Sequence, residues 1–94
     1  MNTLKAEKRD MSIKAKKLRR EGFVTGNLFG RELEDSIPLK FDKGEIEKLL
    51  KVENKGGQVM LEVAGETYDA LIKEVDYNPL KGYIDEIDFQ ALVS

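Results

Sequence analysis

The chain has 94 residues, of which 40% are hydrophobic and 36% charged, and its formal net charge is -2. This composition predicts one soluble globular domain spanning residues 1–94 and excludes a disordered chain. Since the chain contains no cysteine and no histidine, disulfides, thiolate metal sites and the commonest general base are excluded, and we expect neither an enzyme nor a cofactor. No apolar run approaches the roughly 20 residues of a membrane span. The charged N-terminus lacks the apolar stretch of a secretory signal, so we expect a cytoplasmic protein without membrane contact.

Charge is distributed unevenly along the chain. Residues 1–22 carry eight basic and three acidic side chains, a net charge of +5, whereas residues 23–94 carry eight basic and fifteen acidic side chains, a net charge of -7. A basic segment on an acidic body can contact phosphate groups locally. The alternative is a lysine-rich helix whose charges are simply solvated, and composition leaves both interpretations open.

The first part of the chain predicts a strand and a short helix. Thr3–Lys8 is a short mixed segment that we interpret as a strand. Ser12–Glu21 predicts a helix, with Ser12 as its N-cap and Gly22 as the C′ residue that ends it. The residues expected on one side of this helix are Ile13, Lys17 and Arg20.

Two further strands are predicted after this helix. Phe23–Phe29 is apolar enough for a strand, and Gly26 and Gly30 predict a bulge or a turn. Ser36–Phe41 alternates apolar and other residues with the period of a half-buried strand. Because Pro38 has no N–H to donate, we expect this strand to lie at the edge of its sheet.

The second half of the chain predicts one more helix and three strands. Asp42 and Glu45 match a capping box, with Asp in place of the usual Ser or Thr, and the helix that follows has a regular apolar face. That face consists of Ile46, Leu49 and Leu50. The strands cover Val59–Val63, Tyr68–Ile72 and Tyr83–Leu92, with turns at Gly56-Gly57, at Gly65-Glu66 and from Asn78 to Gly82. Several short strands with two short helices indicate an α+β fold built on a closed or nearly closed antiparallel sheet.

Two groups of side chains invite a chemical interpretation. Asp85, Glu86 and Asp88 resemble a hard-cation site. In a strand, however, Asp85 points away from the face that Glu86 and Asp88 share, so we interpret all three as surface carboxylates and expect no metal. Aromatic rings beside a basic segment can stack on RNA bases, although aromatic residues in strands more often belong to the core. The candidates for stacking are Phe29, Tyr77 and Tyr83.

Several segments, taken in order, resemble one known family. They are Lys16–Gly22, Phe29-Gly30, Leu71–Val75, Asn78-Pro79 and Ile87–Phe89. Together they resemble the bacterial large-subunit ribosomal protein family that binds 5S rRNA, with its general stress protein relatives, over nearly the whole chain. The closing motif at its distance from the proline loop is a fairly specific signal, whereas the basic helix alone is a weak one.

The resemblance implies a fold, a partner and a set of contact residues. The implied fold is α+β, a six-stranded antiparallel barrel-like sheet with two or three short helices. The implied partners are 5S rRNA, gripped at an internal loop across its minor groove, and the large ribosomal subunit. Arg9, Lys16 and Arg19 match expected phosphate or base contacts, and Asp88 matches the family aspartate. The full set of expected RNA-binding residues is Arg9, Lys14, Lys16, Lys17, Arg19, Arg20, Phe29, Asp76, Glu86 and Asp88.

Three of these positions depart from the family pattern. Phe29 stands where the family usually has tyrosine, Asp76 where it has glutamine and Glu86 where it has histidine. A carboxylate accepts hydrogen bonds but cannot donate them, and it repels phosphate. Two hypotheses therefore follow. The chain is either a non-catalytic ribosomal protein that binds 5S rRNA, or a diverged paralogue of the same fold that has lost this binding and contacts a protein partner.

Overall fold

The computed structural model describes residues 2–31, 33 and 35–92, which form six strands and two helices. In chain order these are β1 (Asn2–Lys8), α1 (Ala15–Arg20), β2 (Phe23–Phe29), β3 (Ile37–Asp42), α2 (Lys43–Val52), β4 (Gln58–Val63), β5 (Glu66–Asn78) and β6 (Tyr83–Ala91). Neither helix is long and apolar enough to cross a membrane. The elements predicted from sequence are confirmed in kind and in order.

The strands close into a barrel in the order β1-β3-β2-β6-β5-β4, which confirms the six-stranded α+β prediction. Four of the strand pairs are antiparallel, whereas β1 pairs with β4, and β2 with β6, in parallel. The expected purely antiparallel sheet is therefore mixed. Short turns force neighbouring strands to run in opposite directions, but the two parallel pairs join strands that are distant in sequence, and no turn constrains their direction.

The barrel interior is filled by apolar side chains that alternate along the strands, as period-two patterns require. Phe41 and Phe89 pack against each other with ring centroids 5.4 Å apart and planes tilted by 50°. The buried side chains of this core are Leu4, Ala6, Val24, Leu28, Leu39, Phe41, Ile46, Leu49, Val59, Leu61, Val63, Ala70, Ile72, Ile84, Ile87 and Phe89. Since Ile46 and Leu49 belong to α2, this helix contributes directly to the core.

Gly26 lies where the backbone of β6 comes close to β2. A Cβ atom at this position would stand 1.7 Å from the carbonyl oxygen of Ile87, which only glycine avoids. The register with β3 is continuous through this point, pairing Gly26 with Leu39. The bulge expected at Gly26 is therefore wrong, and the residue serves the backbone approach. Gly30 does lie in a turn, since its carbonyl accepts a hydrogen bond from Leu33 N at 3.2 Å.

Pro38 does not mark an edge strand, as the sequence predicted. β3 lies between β1 and β2, and a closed barrel has no edge. Pro38 is the second residue of β3, close to the point where β1 ends at Lys8. There its carbonyl accepts a hydrogen bond from Arg9 N at 2.9 Å. Proline is tolerated at this position because the β1 side requires only a hydrogen-bond acceptor there, which the Pro38 carbonyl provides.

The helix α1 is shorter than predicted and begins differently. Ser12 is not its N-cap: Ser12 N and Oγ donate to Asp10 Oδ1 at 2.9 and 2.7 Å, forming a turn before the helix. The N-cap is Lys14, which makes no side-chain capping bond. The helix buries Leu18. The residues expected on one side of it line the same surface depression, namely Ile13, Lys17 and Arg20. Its predicted end is confirmed, because Gly22 has φ +95° and its N–H donates to Arg19 O at 3.2 Å.

The helix α2 follows its prediction closely. Asp42 is the N-cap, and its Oδ1 accepts a hydrogen bond from Glu45 N at 3.2 Å. The carboxylate of Glu45 lies 3.7 Å from Lys48 Nζ, so its side chain pairs along the helix surface. Ile46 and Leu49 are buried, and Leu50 packs partly buried against the core.

Candidate nucleic-acid interface

Arg19 fastens α1 to the outside of the barrel. Its Nε donates to the carbonyl oxygen of Asp85 at 3.1 Å, and its Nη2 donates to Thr25 Oγ1 at 3.3 Å. Thr25 is 1% exposed, and the neighbouring Leu18 is 2% exposed. The guanidinium therefore sits between β2 and β6, where two protein oxygens already occupy part of its donor capacity.

A β-bulge creates one of these acceptors. The register of β5 and β6 pairs Asp76 with Glu86 and then Tyr77 with Ile84, which leaves Asp85 as the extra residue. The bulged Asp85 accepts hydrogen bonds at its carbonyl from Arg19 and, at 3.5 Å, from Thr25 Oγ1. Its carboxylate accepts a bond from Asn78 Nδ2 at 3.2 Å. The sequence offered no direct signal for this arrangement, since a backbone carbonyl belongs to every residue.

Beside Arg19 lies a group of acidic side chains, here called the carboxylate row, which consists of Glu74, Asp76, Glu86 and Asp88. The β5–β6 register pairs Asp76 with Glu86 and Glu74 with Asp88. Residues paired across neighbouring strands point to the same face, and all four are at least partly exposed. The prediction that Glu86 and Asp88 share one face is therefore confirmed. Among the residues that the structure describes, no three acidic groups converge closely enough to hold a metal ion.

Each member of the carboxylate row that bonds to protein has a different kind of partner. Glu86 Oε2 lies 3.9 Å from Arg19 Nη2, which makes a long ion pair. Glu74 pairs with Lys55 at 3.0 Å. Asp88 Oδ1 accepts a hydrogen bond from the backbone N–H of Asn27 at 3.0 Å, so this carboxylate helps to hold β6 to β2.

The surroundings of Glu86 raise the pKa of its carboxyl above its ordinary value. Partial burial is the largest cause, and the negative charges of Asp88 and Asp76 act in the same direction. The positive charges of Arg19 and Arg9 oppose the increase but do not cancel it. Glu86 therefore takes up a proton more readily than a solvated glutamate.

Arg9 reaches the same region from the end of β1. Its Nη2 donates to Ile13 O at 3.4 Å, which holds the side chain against the segment that leads into α1. Its Nε is buried without a hydrogen-bond partner among the described residues. The side chain is half-buried, so Arg9 contributes positive charge to this region with limited freedom to move.

Four further cations of the basic segment lie together beside α1. Ser12 and Ile13 line a shallow depression together with Lys14, Lys16, Lys17 and Arg20, and we call this site the basic cleft. All four cationic residues are exposed. Within the part of the chain that the structure describes, none of them forms a salt bridge. An unneutralised group of this kind is suited to phosphate.

The structure thus divides the predicted RNA-binding residues into two places. The first, the sheet face, holds Arg9, Arg19, Asp76, Glu86 and Asp88, and the second is the basic cleft with Lys14, Lys16, Lys17 and Arg20. Phe29 is half-buried at the end of β2, paired with Gln90 of β6. It lies two positions from Asn27, so the two residues point to the same side of β2.

Sequence reasoning missed Thr25 and Asn27 as parts of this face. The Thr25 hydroxyl accepts a hydrogen bond from Arg19 Nη2. Asn27 binds Asp88 through its backbone and, at 3.5 Å, through its side chain. The usable signal was their spacing, since polar residues two apart in an otherwise apolar strand share its outer side.

Comparison with known proteins identifies the family of this chain. Residues 4–89 match the Ribosomal L25p family. The large ribosomal subunit protein bL25 of Caldanaerobacter subterraneus subsp. tengcongensis is 35% identical over 91 residues, covering 96% of this chain and 46% of that protein. The general stress protein Ctc of Bacillus subtilis is 31% identical over 94 residues, covering 98% of this chain and 46% of that protein. The chain thus spans about half the length of these relatives. The family predicted from the sequence motifs is confirmed, and the chain belongs to the ribosomal L25p family.

Proposed function

We propose that this chain is a non-catalytic ribosomal protein that binds an internal loop of 5S rRNA in the cytoplasmic large ribosomal subunit. The family supports this function, because relatives over nearly the full length of this chain carry the name of a large ribosomal subunit protein. The structural observation that supports RNA binding is the basic cleft, in which four exposed cations lie together beside the barrel.

The basic cleft supplies the phosphate contacts in this proposal. Lysine and arginine bind phosphate most strongly when no protein carboxylate competes for them, and each phosphate that they neutralise releases counterions. Lys14, Lys16, Lys17 and Arg20 meet this condition among the described residues. Binding should therefore weaken steeply as the salt concentration rises.

The sheet face has a different role in the same complex. Asp76 and Glu86 repel phosphate, so they lie away from the RNA backbone. The wide minor groove of RNA presents 2′-hydroxyl groups, which can donate to a carboxylate. Arg19 contributes mainly by holding α1 in place, since two protein oxygens occupy its guanidinium. With α1 held in this position, the basic cleft faces the RNA phosphates and the carboxylates face the minor groove.

The test is a titration of the protein against a 5S rRNA internal-loop fragment at two salt concentrations. Fluorescence anisotropy measures the binding. An unrelated duplex RNA serves as competitor. We expect binding that resists the competitor. The variant Lys16→Glu should lose about tenfold in affinity and reduce the salt slope by about one. Lys48→Glu is the matched control, because Lys48 is an exposed lysine on the other helix.

Two outcomes would contradict the proposal. If the competitor displaces the fragment completely, the basic cleft binds nucleic acid without recognising 5S rRNA. If Lys16→Glu and Lys48→Glu weaken binding equally, the cleft is not the contact site. Either result would favour the diverged paralogue that contacts a protein partner.

A further inference from the structure

A second surface with features of RNA recognition lies between α2 and the β5–β6 turn. We call it the tyrosine–lysine surface and define it by Lys43, Lys51, Tyr77, Lys81 and Tyr83. Lys51, Tyr77 and Tyr83 line one cleft there. Lys43 Nζ stands 3.8 Å from the centroid of the Tyr83 ring, and Lys81 Nζ stands 5.8 Å from it. Two ammonium groups are therefore held at one aromatic ring.

The loop beside this surface exposes apolar area to water. Tyr77 is 60% exposed and Leu80 is 96% exposed. The loop is nevertheless well held, because Asn78 Oδ1 accepts from Leu80 N at 3.0 Å and from Lys81 N at 3.2 Å. Gly82 N also donates to Asn78 O at 2.8 Å. A braced loop that presents a tyrosine ring and a leucine to solvent is prepared for contact with a partner.

The charges around the surface identify the chemistry of that partner. Lys51 lines the cleft, and two further lysines lie at the ring of Tyr83, whereas Glu47 is the one carboxylate among the described residues that line the cleft. The Tyr77 ring is open to solvent, and stacking on such a ring tolerates any base. Cationic groups combined with an open aromatic ring are typical of sites for single-stranded nucleic acid.

The tyrosine–lysine surface also adjoins the basic segment. Lys43 N donates to Gly22 O at 3.1 Å, and Gly22 lies two residues after the end of α1. A nucleic acid on the basic cleft can therefore continue past the end of α1 toward Lys43 and Tyr83.

From this geometry we infer that the tyrosine–lysine surface binds an unpaired nucleotide of the RNA that occupies the basic cleft. Tyr77 stacks on the base, and Lys43 and Lys81 neutralise the flanking phosphates. This inference rests on the proposed function and extends its footprint from duplex to single-stranded RNA.

The experiment compares the internal-loop duplex with the same duplex carrying about six unpaired uridines at its 3′ or its 5′ end. Fluorescence anisotropy gives the affinity for each RNA. We expect one of the two extensions to raise the affinity of the wild-type protein about tenfold. Tyr77→Ser should abolish this gain, Tyr77→Phe should retain it because the ring is kept, and Lys81→Glu should reduce it. Lys73→Glu is the matched control, since Lys73 is an exposed lysine elsewhere on β5.

The possible failures separate the two proposals. If the duplex binds but neither extension adds affinity, the inference is wrong and the proposed function stands. The same holds if Tyr77→Ser keeps the full gain, in which case the exposed surface serves a partner of another class. If the duplex itself does not bind, the proposed function fails and this inference fails with it.

Discussion

Two neighbouring residues of α1, Arg19 and Arg20, carry the same charge in opposite surroundings. Arg19 donates to two oxygens of the barrel and lies near Glu86, whereas Arg20 is exposed in the basic cleft. Arg19 of the sheet face therefore helps to hold the structure together, whereas the cations of the basic cleft form no salt bridge with the described residues. The number of basic residues on a helix does not determine how many of them can bind phosphate, because the partners on the adjacent sheet decide that.

The largest expected effect concerns the strand pair on which the sheet face depends. Gly26→Ala would place a Cβ atom 1.7 Å from Ile87 O, and the clash lies between two backbones that cannot move independently. We expect the free energy of unfolding to fall by about 3 kcal/mol or more, as measured by chemical denaturation. Gly44→Ala, which meets the side chain of Asp42, is the control and should be nearly neutral. An equally mild effect at Gly26 would show that β2 and β6 are not so tightly joined.

The two arginines themselves provide the next test. Arg19→Ala removes the donor to the Thr25 hydroxyl and one of the two donors to the Asp85 carbonyl, so we expect a loss of about 1–3 kcal/mol in the free energy of unfolding. Arg20→Ala should change stability by less than about 0.5 kcal/mol. It should nevertheless weaken binding to the 5S rRNA fragment more than Arg19→Ala does. Thermal denaturation and RNA titration of both variants would check this pair, and the reverse order would remove the distinction between the two regions.

A smaller effect is expected from Glu86, which lies on the sheet face beside Arg19. Glu86→Gln removes a negative charge near the RNA and releases Arg19 from its ion pair. We expect affinity for the RNA fragment to rise about two- to fivefold at neutral pH. Glu62→Gln on β4 is the control. Glutamine keeps an oxygen that can accept from a 2′-hydroxyl group, so a loss of affinity would mean that the full negative charge of Glu86 is favourable in the complex.

The raised pKa of the Glu86 carboxyl predicts how the free energy of unfolding changes with pH. Because the folded protein raises the pKa of Glu86, the folded state holds this proton more tightly than the unfolded state. Its contribution to the free energy of unfolding therefore falls as the pH rises from the ordinary value of 4.5 through the raised value. Denaturation curves of the wild type and of Glu86→Gln should converge at the low end of this window and separate above it. Parallel curves throughout would contradict the prediction.

Local patterns were sufficient for much of the fold. The alternation around Val59–Val63 and Tyr68–Ile72 predicted a hairpin, and the structure pairs these segments in antiparallel register. Asp42 predicted a helix start that the structure retains. Ser12 was misleading, because a serine before a helix can also bond to a nearby aspartate, and Asp10 is two residues away. The spacing of residues alone does not show whether a serine caps a helix or bonds to a nearby aspartate.

The structure places the expected site residues in an arrangement that the sequence did not predict, and their role in RNA binding stays a prediction. The basic segment was recognised from charge, and Glu86 and Asp88 were correctly placed on one face. The separation of Arg19 from the basic cleft was not foreseen, since it depends on the bulge at Asp85. A bulge shifts the strand register by one residue, and no single residue type in the sequence predicts where it occurs.

The sequence by itself determined the order of the helices and strands, the uneven charge and the family to which the chain belongs. These properties follow from local periodicity, composition and short motifs. Only the tertiary structure decided which strands run in parallel, why position 26 must be glycine and which cations stay free for phosphate. The physical reason is distance along the chain. Arg19 and its acceptor Asp85 are 66 positions apart, and only the closed barrel brings them into hydrogen-bonding contact.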